Sequence, residues 1–248
     1  MNTTSPNRVG TVLLVSRDEI ASRQVTDAMQ QLAVSVEVCV DISAAADRLS
    51  RRKFEGVVID LAIGGQGIVC LEHVRASASN RTAVIFTLTS SSQETAHALK
   101  AGSSFVLQRP LTSESIGHTL KAAYGLITRE RRRYFRYPVA VPVVLNRKTA
   151  PEVFGQTVNI SERGMALTTL TPLAPGTEAT AQFTLPDPLL RITAESKTCW
   201  NNEKGEVGLS FHFLPSDLAS QLQSWLAQKL EKNYPQLVTD KFREFNLS

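Results

Sequence analysis

The apolar rhythm of this chain changes after residue 127, and that change constrains the fold more than any single motif. From residue 11 to 127, short apolar runs alternate with segments whose apolar residues recur at helical spacing. TVLLVS (11–16) reads as a buried strand and EIASRQVTDAMQQL (19–32) as an amphipathic helix. VSVEVCV, ISAAADRLSRR, FEGVVID, TAVIFTLT, QETAHALKAG, SFVLQRP and SESIGHTLKAAYGLI continue the alternation. Five such units predict a doubly wound, five-stranded parallel sheet covered on both faces. After residue 138 the period falls to two. VAVPVVL, VFGQTVNI, GMALTTL, TEATAQFTLP, LRITAESKTCW and EVGLSFHF are short, alternate apolar with polar residues, and are separated by Gly, Pro and Asn. They predict a six-stranded antiparallel β-barrel.

The last periodic segment, PSDLASQLQSWLAQKLEKNY (215–234), opens with Ser216 or Asp217 as a cap. It keeps Leu218, Leu222, Trp225, Leu226 and Leu230 on one face, suited to packing on the barrel or, less often, to a dimer seam. The fold class expected is therefore α/β plus β. Its parts are a disordered N-terminus (1–9), an α/β domain (10–127), an arginine-rich linker (128–138), and a barrel with its helix (139–248). A length of 248 residues suits two domains, since about 100 to 200 residues make one.

Several function classes are disfavoured. No apolar run approaches the roughly 20 residues that span a bilayer, and MNTTSPNRVG lacks the plan of a signal peptide, so a cytoplasmic protein is expected. Cys39, Cys70 and Cys199 are odd in number and widely spaced, which reads as buried free thiols. The four histidines show no ligand spacing, and GGQG (64–67) is too short to cradle a phosphate. Without a catalytic constellation or metal cluster the chain reads as a binding module rather than an enzyme, with no tightly bound cofactor.

A doubly wound sheet binds ligands beyond the carboxyl ends of its strands. The residues there are Ser16, Arg17, Asp18, Asp60, Thr87 and Arg109-Pro110. With these in place, residues 10–127 resemble a response-regulator receiver domain. The resemblance implies that Asp60 in VVIDL is the phosphoacceptor, Thr87 the switch hydroxyl, and AGSSFVLQRP the stretch ending in the lysine-proline turn. It departs from the family where Ser16-Arg17 replaces the Mg²⁺-binding acidic pair, with Asp18 one step late, and where Arg109 replaces the lysine. Asp18 and Asp60 remain as Mg²⁺ candidates. The alternatives are a working phosphosite at Asp60, or a pseudo-receiver in which Asp18 and Asp60 are exposed or paired with Arg17 or Arg109, kept for dimerisation or docking.

The net charge of +4 owes much to RERRRYFR (129–136), which holds five arginines. Such a run suits a solvated helix end, a basic patch for nucleic acid, or a clamp for a small phosphate ligand bearing planar bases. Arg132 and Arg136 are four apart and can fall on one face. About 25 residues on, Asn159, Ser161 and Gly164 lie in TVNISERGMAL, where Asn159 and Ser161 project to one side and can reach a base edge or cap the turn. Gly164 permits positive φ or close approach by a ligand.

Taken together with Trp200 at the end of a strand and the GLSF strand (208–211), these residues resemble a PilZ domain over about 129–232. The family binds cyclic di-GMP, commonly as an intercalated dimer. The resemblance assigns Arg132 and Arg136 to phosphate and guanine, and Asn159, Ser161 and Gly164 to the opposing base. Asn159 stands where many members carry Asp. Arg131 and Arg133 would add contacts or solvate the linker, Tyr134 and Phe135 would anchor the segment to the barrel, and Trp200 would pack at the rim. The expected partners are cyclic di-GMP and a protein reached through the receiver-like half, with homodimerisation compatible.

Overall fold

The computed structural model describes residues 9–63, 65–148 and 150–232. The expected disordered segment 1–9 lies almost wholly outside the described residues, as does the chain after Lys232. The described chain divides into a unit ending at Arg131 and a second unit, Arg132–Lys232.

The first unit contains β1 (Gly10–Val15), α1 (Glu19–Gln31), β2 (Val34–Cys39), α2 (Ile42–Arg51), β3 (Gly56–Asp60), α3 (Gly67–Ala76), β4 (Val84–Thr89), α4 (Ser92–Lys100) and β5 (Phe105–Gln108), and α5 (Ser113–Tyr134) follows. Its strands are parallel in the order β2-β1-β3-β4-β5. Both parities of the central strands are buried: Leu13, Val15, Val57, Ile59 and Ile85 cluster with Leu49, Leu71 and Val74 of α2 and α3. Val12, Leu14, Val58, Phe86 and Leu88 point the other way and are equally buried, so the opposite face is also covered. Buried Val25, Met29, Ile116, Leu120 and Ile127 of α1 and α5 supply that cover.

The helices start where side chains can accept the orphan amides. Asp18, Asp41 and Ser91 cap α1, α2 and α4 respectively. Asn80 is fully buried and ties the α2–β3 connection together: its Oδ1 accepts from the Phe54 amide at 2.8 Å, and its Nδ2 donates to the Leu49 and Arg52 carbonyls at 2.8 and 3.0 Å. Asn80→Ala leaves those three backbone groups short of a partner. The expected cost is about 3 kcal/mol, read as a lower denaturant midpoint at unchanged m-value.

The second unit holds β6 (Tyr137–Pro138), β7 (Pro142–Arg147), β8 (Ala150–Ser161), β9 (Gly164–Thr169), β10 (Glu178–Leu185), β11 (Leu190–Asn201), β12 (Glu206–Phe213) and α6 (Ser216–Glu231). Six strands close a ring, β7-β8-β9-β12-β11-β10 and back to β7, entirely by antiparallel pairing. Closure removes the sheet edges that an open antiparallel sheet would present. Val143, Leu145, Val153, Ile160, Met165, Leu167, Ile192 and Leu209 fill the interior.

Leu222, Trp225 and Leu226 of α6 join that core, and the Trp225 indole donates to the Pro186 carbonyl at 2.7 Å. The N-terminus of α6 differs from expectation. Pro215 occupies the cap position without a side-chain hydrogen bond, and Ser216 and Asp217 are already helical. Proline presets φ near its helical value there, so the turn forms without a hydroxyl cap. Cys39 and Cys70 are buried free thiols, but Cys199 is exposed because β11 turns it outward. No described helix is long and apolar enough to cross a membrane.

Candidate functional site

The arginine run is not a loop. Residues 129–134 form the last turns of α5, and the boundary between the two units falls inside that helix. The chain leaves the helix at Phe135, whose amide donates to the Arg132 carbonyl at 3.1 Å, and enters β6. β6 pairs with β8 in a register that sets Tyr137 opposite Ile160 and Pro138 opposite Asn159.

Thr157 holds the following residues against the same strand: its hydroxyl donates to the Val139 carbonyl and accepts from the Val141 amide at 2.9 Å. Tyr137 anchors the segment from its other side by packing edge-on against Trp225, with ring centroids 5.3 Å apart. Phe135 is partly buried on the barrel core, whereas Tyr134 remains exposed.

This anchoring places Arg136 beside Asn159. An Arg136 Nη1 donates to Asn159 Oδ1 at 3.5 Å on an exposed face. A long, exposed contact between a cation and an amide costs little to break, so both groups are available to a polar ligand. Arg132 reaches Glu231 at the end of α6, 3.8 Å away, with about two fifths of each side chain exposed. Surface pairs of this kind contribute about 0–1 kcal/mol, too little to withhold the arginine from a phosphate. Arg131 is turned elsewhere: it lies 3.5 Å from Glu55, a carboxylate that is nearly buried and also accepts from the Thr11 amide at 2.6 Å.

Ser161 is buried, and its hydroxyl donates to the Gly164 carbonyl at 3.0 Å across the β8–β9 turn. Gly164 sits where β9 meets β12. A Cβ there would stand 2.1 Å from the Leu209 carbonyl oxygen, so strand packing alone requires the glycine. Asn159, Ala166, Gly208 and Trp200 form one cross-strand row on the outer face of the ring. The indole of Trp200 lies over Gly208, where a Cβ would meet its Nε1 at 2.1 Å.

Residues 130–228 match the PilZ domain family. The second unit thus carries a PilZ domain, and Arg132, Arg136, Asn159, Ser161 and Gly164 fall inside the matched span. The match is to a regulatory binding domain, and no enzyme family is indicated. No curated protein matches the chain.

Solved structures similar to the first part of the chain include response regulators. They include a response regulator from Chloroflexus aurantiacus (17% identity, 47% of this chain and 98% of that one, TM-score 0.44). The chemotaxis response regulator CheY4 of Vibrio cholerae is similar at 20% identity, covering 45% of this chain and 96% of its own, with a TM-score of 0.42. A Thermotoga maritima response regulator is similar at 18% identity over 46% and 97%, TM-score 0.42. The strand order of the first unit is the doubly wound order of receivers.

At the carboxyl ends of that sheet, Asp60 is 2% exposed. Its Oδ2 accepts from Ser16 Oγ at 2.7 Å and from Arg109 Nη2 at 2.9 Å, and its Oδ1 accepts from the Ala62 amide at 3.1 Å. The other arm of the guanidinium, Nη1, reaches Asp18 Oδ2 at 2.7 Å. Of the two arginines considered as partner, Arg109 fills the role; the Nε of Arg17 donates to the Val40 carbonyl instead. Asp60 is also buried, not exposed.

The Asp18 carboxyl is held below its usual value, first by the Ala21 amide and also by Arg109. Burial alone would ease the Arg109 proton off, but Asp60 and Asp18 outweigh it and hold the guanidinium more firmly protonated than usual. The Thr87 hydroxyl, fully buried, shares a 3.1 Å hydrogen bond with Ser103. A divalent cation needs several free oxygens in near-octahedral array. The pocket does not fit one, because Asp18 Oδ2 and Asp60 Oδ2 are both bonded to the permanently charged Arg109, which a cation would have to displace and then sit beside.

Sequence reasoning had no access to Glu55 and Glu231, the carboxylates facing Arg131 and Arg132. Glu55 left a faint signal as an acid directly before the buried run GVVID; Glu231 left none.

Proposed function

We propose that the chain is a bacterial signalling protein that binds cyclic di-GMP through its PilZ domain and passes binding on as a change of domain orientation or partner docking. The observation that carries this reading is the meeting of Arg136 with Asn159 at the β6–β8 pairing, within a stretch matched by a family that binds this nucleotide. Arg136 and Arg132 would take phosphate and the O6/N7 edge of guanine through their guanidinium forks. Asn159 would meet the opposing base. Ser161 and Gly164 would shape the turn on which that base rests, since their polar groups close on each other. Arg131 would join only by exchanging Glu55 for a phosphate.

The protein would act in the cytoplasm without a bound cofactor. Calorimetric titration of the full chain with cyclic di-GMP, beside cyclic di-AMP, GTP and duplex DNA, tests the reading. Saturable binding of cyclic di-GMP with little heat from the others is expected. Equal binding of DNA with a steep salt dependence would overturn it in favour of a basic patch. Small-angle scattering with and without the nucleotide tests the readout, and superimposable profiles together with unchanged partner capture would exclude it.

A further inference from the structure

At the carboxyl end of the first unit, the acidic groups are already partnered from within the protein. Its two carboxylates, Asp18 and Asp60, are 42 residues apart in sequence, and Arg109 bonds both from the far end of β5, at 2.7 and 2.9 Å. Every oxygen of the pair is used. Asp18 gives Oδ1 to the Ile20 and Ala21 amides and Oδ2 to Arg109; Asp60 gives Oδ1 to the Ala62 amide and Oδ2 to both Ser16 and Arg109. The forked guanidinium matches two carboxylates at once in a way a single ammonium does not.

We infer that Arg109 is the resident cation of this pocket, so that the first unit keeps its arrangement without divalent metal and Asp60 is not phosphorylated. Two physical steps lead there. A metal entering between Asp18 and Asp60 must first displace a delocalised, permanently charged group from two charge-assisted hydrogen bonds, and would then sit beside that same charge. A phosphodonor must approach a buried carboxylate whose Oδ2 already accepts two hydrogen bonds, with no metal to neutralise the charge that develops on the transferring group. The pocket is thereby a fixed staple joining the ends of β1, β3 and β5, and the incoming signal belongs to the other unit.

The test uses the full chain and reads both metal and phosphate. Wild-type protein is incubated with Mg²⁺ and acetyl phosphate and analysed by intact mass, and its thermal unfolding is followed in Mg²⁺ and in EDTA. The expected result is no phosphoryl adduct and superimposable unfolding curves. In Arg109→Ala the two carboxylates lose their partner, and Mg²⁺ is expected to raise the unfolding temperature, an effect abolished by adding Asp60→Asn. Should Arg109→Ala not fold, Ser16→Asp with Arg109→Lys supplies a third carboxylate and a slimmer cation, and the same Mg²⁺ dependence is expected.

A Mg²⁺-dependent adduct on wild-type protein that is lost in Asp60→Asn would overturn the inference. So would Mg²⁺-insensitive unfolding in every foldable variant, because the exclusion would then not come from Arg109. Neither outcome depends on whether the PilZ domain binds a nucleotide.

Discussion

Arg136→Ala is expected to weaken cyclic di-GMP binding by on the order of a hundredfold or more, with the fold intact. The side chain is exposed and meets Asn159 through a 3.5 Å bond, so its removal takes nothing from the barrel core. What it removes is a charge-assisted fork aimed at phosphate and guanine, and deleting one side of such a pair costs about 3 kcal/mol, which is roughly two decades of affinity. Arg136→Lys restores the charge without the fork and should recover only part of the loss. Calorimetry of the three proteins at one salt concentration makes the comparison. Wild-type affinity in Arg136→Ala, with unfolding unchanged, would remove this arginine from the ligand site. Arg132→Ala should behave alike, since its partner Glu231 is exposed and holds it weakly.

The second large effect is on stability. Gly164→Ala would force a methyl group to within 2.1 Å of the Leu209 carbonyl oxygen, a backbone atom that cannot rotate away. Overpacking usually costs 1–3 kcal/mol, and a backbone clash inside a closed ring belongs at the top of that range or above, at about 3 kcal/mol. For a unit of this size the unfolding midpoint should fall by roughly 15 °C. Gly208→Ala makes the informative contrast: the atom in its way is Nε1 of the half-exposed Trp200 side chain, which can swing outward. Its penalty should be clearly smaller. Differential scanning calorimetry of both variants decides the matter. A Gly164→Ala protein that keeps its midpoint but loses nucleotide binding would show that the glycine serves the ligand and not the strands.

Much of this architecture was legible in the chain because burial leaves a period. Leu13 and Val15 against Val12 and Leu14 give an unbroken apolar run, the mark of a strand covered on both sides. Leu145 between partly buried neighbours, and Val153 between exposed ones, give the alternation of a one-sided sheet. Contacts that join distant residues leave no such mark. Nothing local in VAVPVVL tells that Tyr137 and Pro138, just before it, pair with the far end of β8. The choice between Arg17 and Arg109 as the partner of Asp60 is equally closed to sequence reasoning, because it depends on how β5 ends beside β3.

The site shows the same division. Arg136 and Asn159 could be paired by motif, whereas Glu55 and Glu231 entered only once the helices were placed. The continuation of α5 through the arginine run lies between these cases. The four-residue spacing of Arg132 and Arg136 allowed a helix, but the segment leaves helical geometry before Arg136, and it is β6 that delivers that side chain.

The row that ends at Trp200 gives the protein an optical signature of its own. The chain has two tryptophans, and they sit in unlike surroundings. Trp225, on α6, is buried against Tyr137 and the Pro186 carbonyl, where emission should be blue-shifted and indifferent to solute quenchers. Trp200, with 44% of its surface open to solvent, should emit to the red and be quenched freely. Because Trp200 shares its row with Asn159, changes confined to the red component would report events on the outer face of the ring. Changes in the blue component would report the seating of the last helix, so one unlabelled sample can tell ligand capture from unfolding.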